Sequence, residues 1–121
     1  MKTRWESGRA AGNERSMKIT FLYFEGCPNH LPALELLQAF LREVKDESPV
    51  AMIRIENEQQ AALHGFVGSP TIRFEGQDIF PTDSTDYRLA CRVYPTTTGL
   101  SGTPALAMIQ TAYSRAARII P

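Results

Sequence analysis

The 121 residues carry thirteen basic and thirteen acidic side chains and are 43% hydrophobic, enough apolar material for one core and no charge excess to hold a polyanion. A nucleic-acid partner would require a basic stripe, and none is visible. Two cysteines far apart, with no CxxC pair, exclude a disulfide-rich framework and structural zinc spacing, so a reducing, cytoplasmic setting is expected.

In chain order, Met1 to Ser16 is polar, with Lys2, Arg4, Arg9 and Arg15 but without the apolar stretch of a signal peptide. It is expected to be a disordered extension to a domain spanning 17–121, with Met17 a second candidate start. No run approaches the roughly eighteen apolar residues of a spanning helix, so no membrane partner is expected. Ile19 to Phe24 is a short apolar run that stops at Glu25-Gly26, and Cys27-Pro28 follows at once. From Pro28 the spacing turns helical, through Leu31, Leu34, Leu37 or Leu41, and Val44. Proline suits the first position of a helix, where its missing N–H costs nothing. Cys27 is thereby placed at or beside the N-cap, where unpaired backbone N–H groups and the helix dipole favour a thiolate.

Lys45 to Pro49 reads as a solvated turn and Val50 to Ile55 as a second strand. A strand, a helix and a strand in that order predict a right-handed βαβ unit with parallel strands. Asn57 is expected to cap a short helix, Glu58 to Leu63, that ends at Gly65. Thr71 to Phe74 and Gln77 to Phe80 predict a hairpin turning on Glu75-Gly76. Pro81 to Gly102 is long for a connection in so small a domain. A short helix is expected within Ser84 to Tyr94, with Leu89 and Val93 facing inward. Thr103 as N-cap, Pro104 as first residue and Leu106, Ile109, Ala112, Tyr113 and Ala116 as the apolar face predict the last helix. The predicted fold class is α/β, a mixed sheet of about four strands flanked by helices, with a long loop or lid before the last helix.

The segments FEGCPNH (24–30), GSPTIRFEGQDIFP (68–81) and YRLACRVY (87–94) resemble small single-domain bacterial proteins of the thioredoxin-like superfamily. The nearest likeness is to the alkylmercury-lyase-like proteins and to the DF family of selenoproteins and their cysteine relatives. The likeness runs from about Met17 to Ala112. It implies a thioredoxin-like fold in which Pro70 is cis and faces the reactive Cys27. It also implies that His30 occupies the position where dithiol members carry a second cysteine.

Several readings of these residues stay open. Cys27 is either the attacking thiolate or a small buried hydrophobe. His30, one helical turn on, is either a proton partner for the sulfur or an exposed polar residue of the first turn. Cys91 is a resolving thiol carried on the lid, a soft-metal ligand together with Cys27, or part of a buried lid helix. Ser69-Pro70 is a cis-proline loop offering the Ser69 N–H and C=O to an extended substrate, or a trans proline opening an edge strand. Glu25 and Asp78 are candidate carboxylates near the thiol, and Tyr23, Tyr87 and Tyr94 candidate lid-pocket residues. His64 reads as a helix-end histidine. No glycine-rich phosphate loop is present, so no cofactor is predicted.

The expected function is thiol-dependent redox chemistry on a small thiol or a protein thiol or disulfide. Soft-metal or organomercurial binding through Cys27 and Cys91 is the alternative. A silent scaffold that uses its surface for oligomerisation, as a homodimer, is the third possibility.

Overall fold

The computed structural model describes residues 16–118. The extension expected over 1–16 falls, apart from Ser16, outside the described residues. Nine elements follow in order: β1 (Ile19–Tyr23), α1 (His30–Glu43), β2 (Val50–Arg54), α2 (Glu58–His64), β3 (Thr71–Phe74), β4 (Gln77–Asp78), β5 (Tyr94–Thr96), β6 (Gly99–Ser101) and α3 (Leu106–Ala117).

The fold is α/β. Four strands form one mixed sheet in the order β2-β1-β3-β4. β1 pairs in parallel with β2 over the full length of both, Ile19 opposite Val50 and Tyr23 opposite Arg54. On its other side β1 runs antiparallel to β3, with Phe21 opposite Ile72. The central strand is therefore paired on both edges, and its first four residues are buried.

Side-chain alternation along β1 divides the interior in two. Ile19 and Phe21 join Ile72 and Phe74 of β3 against Leu37, Phe40 and Leu41 of α1 and Ile109, Ala112 and Ala116 of α3. Leu22 points the other way, into a smaller cluster with Ile55, Ala61 and Phe66 under α2. Alanines at 112 and 116 let α3 lie close to the first cluster, while Leu31, Val44 and Leu106, three apolar positions expected to face inward, are exposed.

Local signals fix the first half closely. The Asn57 side chain accepts a hydrogen bond from the Gln60 amide at 2.8 Å, and Gly65 ends α2 with φ +62°, the left-handed cap that glycine provides without a Cβ clash. Glu75 and Gly76 both take positive φ, 54° and 80°, which is the backbone of a type I′ turn matched to the twist of a hairpin. Arg73 on β3 reaches across to donate to the carbonyls of His64 (2.8 Å) and Gly65 (3.1 Å), tying the exit of α2 to the sheet.

The second half departs from expectation. Ser84 to Tyr94 holds no helix: residues 81–93 run without regular structure, and Leu89 and Val93 are 38% and 53% exposed instead of facing inward. Tyr94 instead begins a two-stranded hairpin, β5-β6, outside the main sheet. The last helix starts at Leu106, with Ala105 in place of the expected Thr103 at the N-cap, because the first helical bonds, from the Met108 and Ile109 amides, end on the Ala105 carbonyl at 3.0 and 3.3 Å.

Candidate thiol site

At the end of β1 the chain turns sharply, the Cys27 amide donating to the Phe24 carbonyl at 3.1 Å. Asn29, not Cys27, is the N-cap residue of α1, and the first helical hydrogen bond runs from the Ala33 amide to the Asn29 carbonyl. Pro28 lies one residue before that cap, in the turn. The Cys27 sulfur is left facing the helix entry, where the Asn29 amide donates to it at 3.4 Å. A free backbone N–H aimed at sulfur is an interaction that strengthens when the sulfur is ionised. Cys27 is only 2% exposed.

The Ser69-Pro70 peptide bond is cis, and Ser69 is fully buried. Every polar group of Ser69 is engaged. The Cys27 thiol donates to its carbonyl at 3.5 Å, and the Phe24 amide donates to its hydroxyl at 3.4 Å. The Ser69 amide donates to the Ala90 carbonyl at 2.8 Å, and the Arg92 amide donates to the Ser69 carbonyl at 2.9 Å. Residues 90–92 thus form a one-residue parallel β-bridge with Ser69, centred on Cys91. The sequence-based expectation that the Ser69 N–H and C=O stand open to an extended substrate does not describe this state. The protein's own chain pairs with both groups.

Cys91 is exposed, and both cysteines are free thiols. The bridge brings Cys91 near enough to Cys27 to feel it. Desolvation first, and then the neighbouring Cys27 thiol, push the Cys91 thiol above its ordinary value. Two thiols remote in sequence are thereby gathered at one sheet end with the cis bond between the segments that carry them.

His30 stands at the first helical position, but its Nδ1 meets the Cys27 backbone carbonyl at 2.6 Å. A carbonyl only accepts, so Nδ1 carries the hydrogen. The ring stacks on Tyr23 with centroids 4.8 Å apart, and Nε2 is the nitrogen not taken by that carbonyl.

What holds residues 90–92 in place is Arg92, which sequence reasoning did not single out. Its side chain is 6% exposed. It donates to Asp78 at 2.8 and 3.0 Å, to Thr71 Oγ1 at 3.2 Å and to the Phe80 carbonyl, and it lies 4.9 Å from the centre of the Tyr94 ring. Asp78, a candidate carboxylate for the thiol, is committed to this pair. Glu25, the other, faces Arg54 at 3.7 Å on an exposed surface. Tyr94 is buried and donates its hydroxyl to the Pro70 carbonyl at 2.5 Å; burial pushes its phenol well above the ordinary range, so it remains a donor. Tyr87 packs at the edge of the smaller cluster.

Two glycines fit the site's backbone together. Gly68 has φ +131°, and a Cβ there would meet Arg92 Cβ at 3.0 Å and Arg92 Cα at 3.2 Å. A Cβ on Gly102 would strike the Asn29 side chain at 2.1 Å. Gly68 carried a sequence signal, directly before Ser-Pro; Arg92 carried none, because a buried arginine looks in sequence like any surface one.

Among the described residues, no group of three or more His, Cys, Asp or Glu side chains comes together as a metal site, and no helix is long and apolar enough to cross a membrane. Compared with protein-family models, curated proteins and solved structures, the chain matches none.

Proposed function

We propose that this chain is a thiol-dependent redox protein of the thioredoxin-like superfamily, cycling its Cys27–Cys91 pair between dithiol and disulfide. The observation that carries the reading is that Ser69 joins the two cysteine segments, its carbonyl accepting from the Cys27 thiol and its backbone bridging to Cys91 beside the cis bond. The strand order β2-β1-β3-β4 and the placing of the first cysteine at the entry to α1 support the superfamily assignment.

In one turnover, a thiolate of the pair attacks a substrate disulfide, forms a mixed disulfide and expels one substrate thiolate. The second cysteine then attacks the protein sulfur of that mixed disulfide and expels the other. Two electrons pass from the pair to the substrate, and the two thiol protons leave with the products. The Asn29 amide steadies negative charge on Cys27 whenever that sulfur leaves or attacks. His30 Nε2 is the imidazole nitrogen left beside the Cys27 segment once Nδ1 is bonded to the Cys27 carbonyl.

Thiol trapping tests this directly. Mild oxidation should produce an intramolecular Cys27–Cys91 disulfide, seen as the loss of both alkylation sites by mass spectrometry, and neither single Cys→Ser variant should complete the two-electron turnover of a small disulfide. A protein that keeps both thiols alkylatable under oxidant would sink the reading. The same pairing favours a second reading, capture of a soft metal ion or organomercurial between two thiolates. Stoichiometric binding of Hg(II) or Cu(I), lost in either single Cys→Ser variant and unaccompanied by disulfide exchange, would favour it.

A further inference from the structure

The redox reading leaves the substrate class open, and the hydrogen bonding of Ser69 narrows it. An extended polypeptide docks by pairing its backbone with an unpaired N–H and C=O on its host. At this site the pairing residue would be Ser69, since Pro70 has no N–H. Both Ser69 groups are already bonded to Ala90 and Arg92 at 2.8 and 2.9 Å, and Gly68 lets the strap approach so closely that a methyl group there would press on Arg92 at 3.0 Å. The strap is fixed by the buried Arg92–Asp78 pair and two further acceptors. Cys27 is covered, and Cys91 is the sulfur that meets solvent. A depression lined by Phe24, Gly26, Ile55 and Leu89, and by Arg54 paired with Glu25 and Glu56, lies among the neighbours of the two cysteine segments.

We infer that residues 90–92 fill, as an internal strand, the place an extended polypeptide would take at Ser69, so that the thiol pair serves a small-molecule disulfide reached through Cys91 and not a protein disulfide. This rests on the redox reading above. Cys91 as thiolate attacks the small disulfide RSSR, forming Cys91–S–S–R and releasing RS⁻. Cys27 as thiolate then attacks the Cys91 sulfur, closing Cys27–S–S–Cys91 and releasing the second RS⁻; the protons of the two thiols end on the two RSH products. In the reverse direction an external thiolate attacks the exposed Cys91 sulfur and Cys27 leaves, with the Asn29 amide on it. The elevated Cys91 thiol means that the first attack speeds up as pH rises through neutrality and beyond.

Single-turnover oxidation of the reduced full chain by hydroxyethyl disulfide and by insulin tests this, each rate divided by that of dithiothreitol with the same disulfide. The expected result is a normalised insulin rate lower by about tenfold or more, because the strap bars the chain flanking an insulin disulfide from the Ser69 edge, a hindrance that dithiothreitol does not impose and that at about 1.4 kcal/mol corresponds to tenfold in rate. Asp78→Asn, which loosens the strap, should narrow that gap. The Cys27→Ser variant should trap the mercaptoethanol adduct on Cys91, with no adduct trapped on Cys27 in Cys91→Ser. Comparable normalised rates with insulin, or an adduct trapped on Cys27, overturn the inference and leave thiol exchange intact. Should neither disulfide oxidise the pair, the redox reading fails and takes the inference with it. The wild-type comparison decides the matter even if Asp78→Asn does not fold.

Discussion

From Ile19 to Asp78 nearly every stretch is held by neighbours close in sequence or by a ladder partner: β1 by β2 and β3, α2 by the Asn57 cap and Gly65, β4 by its own two-residue turn. From Pro81 to Val93 the chain makes no regular element, and what holds it is two backbone bonds to Ser69, one buried arginine and the Tyr87 ring at the edge of the smaller cluster. The first region gains its order from many small, redundant interactions. The second gains it from a few large ones, so a single substitution should release it. Cys27 belongs to the first region and Cys91 to the second, and the thiol pair exists only while both are in place.

The largest effect should come from Arg92→Ala. It leaves Asp78, 15% exposed, without its partner and orphans the Thr71 and Phe80 acceptors; breaking a buried pair in this way costs about 3 to 5 kcal/mol. Urea unfolding measures it, and a loss under about 1 kcal/mol would remove Arg92 as the strap's anchor. Gly68→Ala should follow, at about 1 to 3 kcal/mol, since alanine must hold φ +131° while its methyl presses on Arg92. Its sharper signature is positional: yield of the Cys27–Cys91 disulfide should fall, while the Gln60 amide at the Asn57 cap keeps its hydrogen-exchange protection.

In the redundant region, Asn57→Ala should cost about 1 kcal/mol and leave thiol chemistry untouched. A change in Cys27 or Cys91 alkylation rate in that variant would mean the two regions are not separable. Tyr113→Phe is the mildest. Tyr113 bonds to Asp46 across the α1–α3 side of the core. Burial works to raise the Asp46 carboxyl, but hydrogen bonds from Ser48 and Tyr113 outweigh it and hold it below its ordinary value. Burial and Asp46 raise the Tyr113 phenol. A lowered carboxyl stabilises above its unfolded value and loses that contribution as pH falls through its folded one; a raised phenol stabilises below its unfolded value and loses it at alkaline pH. The wild type should therefore exceed Tyr113→Phe by about 0.5 to 1 kcal/mol between roughly pH 5 and 9, and the difference should shrink on both sides. Denaturant midpoints across pH read this out; a gap that widens in acid would contradict it.

The same contrast explains what could be read from sequence. Asn57, Gly65 and Glu75-Gly76 act on backbone within a few residues, so their chemistry is written locally, and the helix and hairpin they announce are present. The apolar run before Cys27 is a central strand because it is apolar on both faces. The Leu89–Val93 spacing imitated a helix, but no local hydrogen bond overrode the pull of Ser69 and Asp78, which lie elsewhere in the chain. The Tyr94–Ser101 hairpin had a signal in Thr97-Thr98-Gly99, with Gly99 at φ +119°, that the length of the connection obscured. The helix-entry thiol and the Ser-Pro step were legible as separate halves of a candidate site. Their meeting through Ala90 and Arg92 was not, because a one-residue bridge has no periodicity to detect.

Gly102 gives the hairpin a hold on the sulfur that no direct contact would suggest. Its bare α-carbon is what makes room for the Asn29 carboxamide, and the amide of that same asparagine rests on Cys27. Enlarging the glycine by one methyl would push on the residue that steadies the thiol, so the temperament of Cys27 is set in part by how closely a distant turn is allowed to lean on the mouth of α1.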